Sequence, residues 1–83
     1  MTHTLKTWPR YYKCVVDGSK PFEVRKYDRL FHLGDTLILQ EYEPENSRYT
    51  GKESEFIVTY ILHGGEFGIQ DGYCVMGIKP RVY

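Results

Sequence analysis

The sequence predicts a mainly β (α+β) domain, a small barrel of about five strands with one N-terminal helix. Several short segments rich in β-forming residues are separated by polar turns, and only one segment has the apolar spacing of a helix. With so few helices to connect parallel strands, an antiparallel sheet is expected, and closing it into a barrel would remove exposed edges. At 83 residues, the chain is expected to form one domain, residues 1–83.

The helix is expected directly after a first strand at residues 3–7, over about residues 8–16. Thr7 is the expected N-cap, Pro9 falls in the first turn where its missing N–H costs little, and Gly18 supplies a left-handed terminator. Apolar side chains recur at three- and four-residue spacing on one face, which comprises Trp8, Tyr11, Tyr12, Val15 and Val16.

A second strand is predicted at residues 20–27, where side chains alternate between two faces. If Phe22 and Val24 are core residues, the opposite face points to a surface or a cleft. That opposite face carries Glu23, Arg25 and Tyr27.

Three further strands are predicted at residues 36–43, 54–62 and 73–78. Asp28 and Arg29 are expected to brace the loop before Gly34, and Asp35 to cap a turn that sets the direction of the next strand. The glycines of loop 64–72 match no phosphate-binding pattern and are expected to serve turn geometry.

The composition favours a folded cytoplasmic protein. Aromatic residues are abundant, with eight Tyr, four Phe and one Trp, and 41% of residues are hydrophobic. No apolar run approaches the roughly 18 residues of a membrane span, and residues 1–10 lack the apolar stretch of a signal peptide. Cys14 and Cys74 are isolated, which favours a reducing compartment.

Charge is distributed unevenly along the chain. Residues 1–29 carry seven Lys or Arg against three Asp or Glu, and residues 30–83 carry four against eight, although the total is zero. The N-terminal third would therefore offer a basic patch to a phosphate-bearing partner, unless the two parts simply pair with each other.

The most informative cluster of polar residues lies in residues 18–26, GSKPFEVRK. It resembles the GxKxxExR motif of the ASCH family, through Gly18, Lys20, Glu23 and Arg25, followed by Gly34 and Asp35. Further similarity to short ASCH-like proteins extends over most of the chain, through His3, Leu5, Lys6, Asp28, Arg29, Thr50 and Gly51.

This resemblance implies a PUA-like barrel with a cleft beside the first helix, and a role in binding RNA or a nucleotide-like small molecule. Lys20 and Arg25 would donate to phosphate or a base carbonyl, while Glu23 would accept from an amine and orient Arg25. Lys6 would extend the basic lining, and three aromatic residues would stack on a base. They are Trp8, Tyr27 and Tyr73.

Simpler interpretations remain open for several of these residues. Glu23 and Arg25 would equally form an ordinary surface ion pair, and His3 and Lys6 would be polar residues on an edge strand. The three histidines and two cysteines lack the paired spacing of metal ligands, so no metal and no cofactor is expected.

Two other functions are compatible with the resemblance. Some small ASCH proteins are amidohydrolases that deacetylate acetylated cytidine with the motif lysine, a threonine three residues later and a distant glutamate. Here Lys20 matches, but Glu23 replaces the threonine, so Glu23 would act as a general base through water, with Glu66 the candidate distant acid. Other ASCH domains belong to transcription co-regulators, which would make this a protein-interaction domain. The sequence does not specify an oligomeric state under any of these functions.

Overall fold

The computed structural model describes residues 1–82 and contains five strands and one helix. In chain order the elements are β1 (Thr2–Thr7), α1 (Pro9–Asp17), β2 (Phe22–Lys26), β3 (Thr36–Glu43), β4 (Arg48–His63) and β5 (Tyr73–Pro80). This confirms the predicted mainly β architecture with one N-terminal helix. No helix within residues 1–82 is long and apolar enough to cross a membrane.

All five strands belong to one curled sheet with the order β1-β3-β4-β5-β2. Register shifts interrupt the β3–β4 pair between Gln40 and Tyr42 and the β4–β5 pair between Val58 and Tyr60. Such bulges increase the local twist and help the sheet to curl into a half-barrel. The edge strands β1 and β2 border an opening that the sheet does not close.

The expectation of an antiparallel sheet holds for three of the four strand pairs within residues 1–82 and is wrong for the fourth. β1 pairs with β3 in parallel, with Thr2 opposite Thr36. A parallel pair needs a long crossover connection, and α1, β2 and the loop after it together supply one. A single helix was therefore enough for one parallel pair.

Helix α1 ends as predicted but does not begin as predicted. Gly18 terminates it in the left-handed conformation, with φ of 86°. The N-cap is Trp8 rather than Thr7, and no side chain caps the helix. The side chain of Thr7 is buried at the end of β1 instead, where its hydroxyl accepts a hydrogen bond from Arg25.

The core lies on the concave side of the sheet beneath α1. Of the predicted apolar helix face, only Tyr12 and Val15 are buried, so the buried stripe is narrower than expected. Burial raises the pKa of the Cys74 thiol, which favours its neutral form as a small core side chain. The core cluster comprises Leu5, Val15, Phe31, Leu37, Leu39, Phe56, Val58, Cys74, Met76 and Ile78.

The orientation expected for β2 is wrong. Phe22 and Val24 are exposed, whereas Glu23 is only 3% exposed and lies opposite the buried Met76 of β5. The alternation of side chains correctly predicted the two faces of β2. The apolar face, which was expected to be buried, is the exposed one. The buried carboxylate is tolerated because two cationic side chains bind it, as described below.

His3 is also buried, which contradicts its interpretation as a surface residue of an edge strand. Its Nε2 lies 2.8 Å from Oδ2 of Asp35, and its ring contacts Phe31 edge to face. Asp35 caps the turn as predicted, since the backbone N–H of His32 donates to its carboxylate at 2.9 Å. The same carboxylate accepts from the Met1 amine at 3.0 Å.

Candidate ligand-binding groove

A groove of about 810 Å³ lies where β1 ends, between α1 and the edge strand β2. Three elements supply its walls: the end of β1, the exposed side of α1, and the turn and strand that follow Gly18. The local sequence explains this placement, because Gly18 ends α1 in the left-handed conformation and the chain turns there into β2, so both elements border the groove.

A cluster of three charged side chains occupies this groove. Lys20 Nζ donates to Glu23 Oε1 at 3.0 Å, and Arg25 Nε donates to Glu23 Oε2 at 2.9 Å. The carboxylate is buried, but the side chains of Lys20 and Arg25 remain 20% and 23% exposed. The motif residues therefore converge, with the negative charge inside and the two cations facing the opening.

Arg25 also bridges the gap between the two edge strands. Its Nη2 donates to the backbone carbonyl of Lys6 at 2.7 Å and to Thr7 Oγ1 at 3.3 Å. A single guanidinium thus connects β2 to the end of β1, where the sheet leaves backbone groups unpaired. The planar geometry of Arg suits this multiple donation better than the single ammonium of Lys would.

Exposed apolar side chains rim the charged cluster. Trp8 is 51% exposed and stacks on Tyr11, with ring centroids 6.2 Å apart at an interplanar angle of 25°. Phe22 and Val24 line the groove from β2. Lys20 Nζ lies 5.6 Å from the Tyr11 ring centroid and 5.0 Å from that of Phe22, within the range of cation–π attraction.

The structure brings five of the seven residues predicted for the site to the groove and leaves two elsewhere. Lys6, Trp8, Lys20, Glu23 and Arg25 all line it. Tyr27 and Tyr73 are not among its lining residues. Tyr27 packs between Phe31 and His63, at 6.0 and 4.9 Å between ring centroids.

Several lining residues were missed from the sequence as site residues. Tyr11, Phe22 and Val24 had been assigned to apolar faces, and an apolar side chain gives no sign in sequence of lining a groove rather than a core. Thr7 was considered only as a helix cap. Of the other candidates, Glu66 does not line the groove, and Asp28 and Arg29 form an exposed pair at 3.6 Å.

The arrangement is suited to holding a flat, polar ring. The stacked indole and phenol offer an aromatic surface, and the two partly exposed cations offer hydrogen-bond donors beside it. Within residues 1–82 no group of three or more His, Cys, Asp or Glu side chains could hold a metal ion. Both oxygens of Glu23 already accept from cations, so its carboxylate orients Lys20 and Arg25.

Fold and groove together define a single-helix, half-barrel domain with a charged groove at its open edge. Residues 2–78 match the family described as Domain of unknown function (DUF3850), and the chain belongs to that family.

The chain is also similar to a protein of Escherichia phage P2 described as "Uncharacterized 12.9 kDa protein in GpA 3'region". The two are 39% identical over 59 residues, which is 71% of this chain and 52% of the relative. The chain therefore spans about half the length of this curated relative.

Proposed function

We propose that the groove binds a base of RNA or of a nucleotide-like small molecule. The observation that carries the proposal is the juxtaposition of a buried carboxylate, held between two partly exposed cations, with an exposed aromatic stack. The resemblance of the Gly18–Arg25 segment to the ASCH motif supports the same conclusion.

In the proposed mode, Trp8 and Tyr11 stack on the base, a contact typically worth about 1–3 kcal/mol per base. Lys20 and Arg25 donate to a base carbonyl or a phosphate, and Glu23 keeps both cations in place. Because Glu23 neutralises one of the two positive charges, the groove carries a modest net charge. Aromatic stacking is therefore expected to contribute as much as charge attraction.

The amidohydrolase alternative receives less support from the geometry. A general base must reach a water molecule and the substrate, whereas the Glu23 carboxylate is buried and each of its oxygens accepts a hydrogen bond from a cation at 3.0 Å or less. Incubation with acetylated cytidine, followed by chromatography for cytidine, tests this alternative directly. Turnover that is lost in Lys20→Ala would replace the binding proposal by catalysis.

Fluorescence anisotropy of labelled short single-stranded RNAs tests the binding proposal. Trp8→Ala and Lys20→Ala are each expected to weaken binding about tenfold, whereas Lys13→Ala should not change it beyond the effect of removing one surface charge. Lys13 is an exposed lysine of α1 that lines a different cavity, so it is a control for the loss of the Lys20 charge.

The salt dependence of the same titration separates specific from diffuse attraction. Affinity should fall with rising salt. The slope of log affinity against log salt concentration should become smaller in magnitude by about one in Lys20→Ala if this lysine contacts phosphate. Equal affinity in the wild type, Trp8→Ala and Lys20→Ala would refute the proposal, provided circular dichroism shows that both variants are folded.

We also propose a cytoplasmic location for this function. Both cysteines are free thiols, Cys14 partly exposed in the groove and Cys74 in the core, which suits a reducing environment. Imaging of a fluorescently tagged chain would contradict this if the signal lay outside the cytoplasm.

A further inference from the structure

A second cavity, of about 370 Å³, adjoins the groove. Lys6 and Arg25 line both cavities, so the two are neighbours along the opening between β1 and β2. The second cavity also receives Lys26 and Arg29 from the end of β2 and the loop after it. Four cationic side chains therefore surround it, against one carboxylate, Asp28.

Two of these four cations have no carboxylate partner among the described residues. Within residues 1–82, neither Lys6 nor Lys26 forms an ion pair with a carboxylate. Asp28 pairs with Arg29 at 3.6 Å, but both side chains are about half exposed, and such pairs attract each other weakly in water. In the groove, by contrast, the buried Glu23 binds Lys20 and Arg25, which are two of its three cations.

Two of the cations are fixed in position before any ligand arrives. Lys6 Nζ lies 4.4 Å from the ring centroid of Tyr42 and 5.9 Å from that of Tyr49, an aromatic pair that holds the ammonium by cation–π attraction. The Arg25 guanidinium is fixed by Glu23 and by the backbone of Lys6. Fixing cations in advance reduces the ordering cost of binding an anion.

Residues with further hydrogen-bond donors line the second cavity. Among the described residues, Nη1 of Arg25 has no hydrogen-bond partner. β1 is an edge strand, and Thr4, Leu5 and Lys6 line the cavity with a strand edge that no other strand covers. Guanidinium and backbone N–H groups are the donors that proteins most often present to phosphate oxygens.

We propose that the second cavity binds a phosphate group of the ligand whose base occupies the groove. This inference rests on the proposed function and narrows its ligand class to phosphorylated nucleotides or single-stranded RNA, as opposed to free nucleosides. The aromatic groove takes the base, the cationic cavity takes the phosphate, and Arg25 stands between the two. The uneven charge of the sequence is thereby concentrated at one place, since all four cations belong to residues 1–29.

Isothermal titration calorimetry of the full chain with adenosine, adenosine 5′-monophosphate and inorganic phosphate tests this division. The monophosphate should bind at least tenfold more tightly than adenosine, and inorganic phosphate alone should bind more weakly than the monophosphate. Lys26→Ala and Arg29→Ala should each weaken monophosphate binding about fivefold and leave adenosine binding unchanged. Both residues are largely exposed, so these variants are expected to fold.

Lys79→Ala is the matched control, because Lys79 is an exposed lysine near the end of β5 that lines neither cavity. It removes the same charge and should leave monophosphate binding within twofold of the wild type. A loss in Lys79→Ala equal to that in Lys26→Ala would mean that net charge alone acts, and would overturn the inference.

The remaining outcomes separate this inference from the proposed function. Equal binding of adenosine and its monophosphate, unaffected by Lys26→Ala and Arg29→Ala, would refute the phosphate site and leave base binding in the groove intact. Binding of neither would refute both proposals. Inorganic phosphate, or vesicles containing phosphatidic acid, binding as tightly as the monophosphate would overturn the inference by showing a phosphate site independent of the base.

Discussion

Two buried carboxylates, Asp35 and Glu23, illustrate how the same kind of charge serves two purposes in one small domain. Each is at most 4% exposed and each accepts hydrogen bonds through both of its oxygens. Asp35 is bound by the equally buried His3, by the backbone of its own turn and by the exposed Met1 amine, and it lines none of the three described cavities. Glu23 is bound by two cations that remain partly in water and line a groove.

The difference lies in the partners rather than in the carboxylates. Asp35 and His3 connect the start of β1 to the turn before β3, so their contact fixes the one parallel strand pair. Glu23 fixes the positions of Lys20 and Arg25, whose other donors can still turn to a ligand. The Asp35 contacts connect two elements of the fold, whereas the Glu23 contacts orient side chains that line a groove.

The largest expected effect is that of Asp35→Ala on stability. It leaves the buried His3 without its partner and removes the acceptor for the His32 N–H, so the free energy of unfolding should fall by about 3–5 kcal/mol. Urea unfolding followed by circular dichroism measures this loss. The exposed Glu45→Ala should change stability by less than about 0.5 kcal/mol. An Asp35→Ala variant as stable as Glu45→Ala would contradict a structural role for this carboxylate.

Acid unfolding gives the next effect. Burial alone would raise the pKa of Asp35, but hydrogen bonds from His3, the Met1 amine and the His32 N–H outweigh it and lower the pKa from 3.8 to about 2. Because the folded state holds the proton less tightly than the unfolded state, the Asp35 contribution is complete above pH 3.8. It is lost as the pH falls from 3.8 to about 2.

The melting temperature of the wild type should therefore drop more steeply between pH 4 and 2 than that of Asp35→Asn, which has no carboxyl group to protonate at this position. Parallel curves for the two proteins across this window would show that Asp35 does not contribute to acid sensitivity. Thermal unfolding at half-unit pH steps is sufficient to distinguish the two results.

A smaller effect is expected for Glu23→Gln. The amide keeps the shape of the side chain, and Lys20 and Arg25, which lose their carboxylate partner, are partly hydrated. The free energy of unfolding should therefore fall by only about 1–2 kcal/mol. The same urea titration measures it, with Glu45→Gln as the control for removing a carboxylate. A loss larger than that of Asp35→Ala would reverse the comparison and assign the main structural role to the groove cluster.

The sequence predicted the elements of this fold better than their arrangement. Alternation and turn residues located β2, β3 and β5 closely, because these signals are local. The parallel pairing of β1 depends on which strand comes to lie beside it, a non-local choice that spacing does not encode. The burial of His3 escaped notice for the same reason, since its partner Asp35 lies 32 residues further along the chain.

For the candidate site, the motif correctly grouped Lys20, Glu23 and Arg25, which lie within one turn and one strand. It did not reveal that Glu23 points inward, because the compensating bonds form only once the strand docks against the core. The sequence showed that aromatic residues are abundant, but it did not show which of them line the groove. The positions of Tyr27 and Tyr73 relative to the groove depend on the curl of the whole sheet.

The parallel alignment of β1 with β3 has a consequence for the order in which the molecule is assembled. Thr2 pairs with Thr36, so the first strand is synthesised before its partner, and α1 and β2 are made between the two. Distant pairings of this kind are slow to form. The two walls of the groove, α1 and β2, are therefore synthesised before β3, β4 and β5. The opening between these walls takes its final shape only when the later strands have paired.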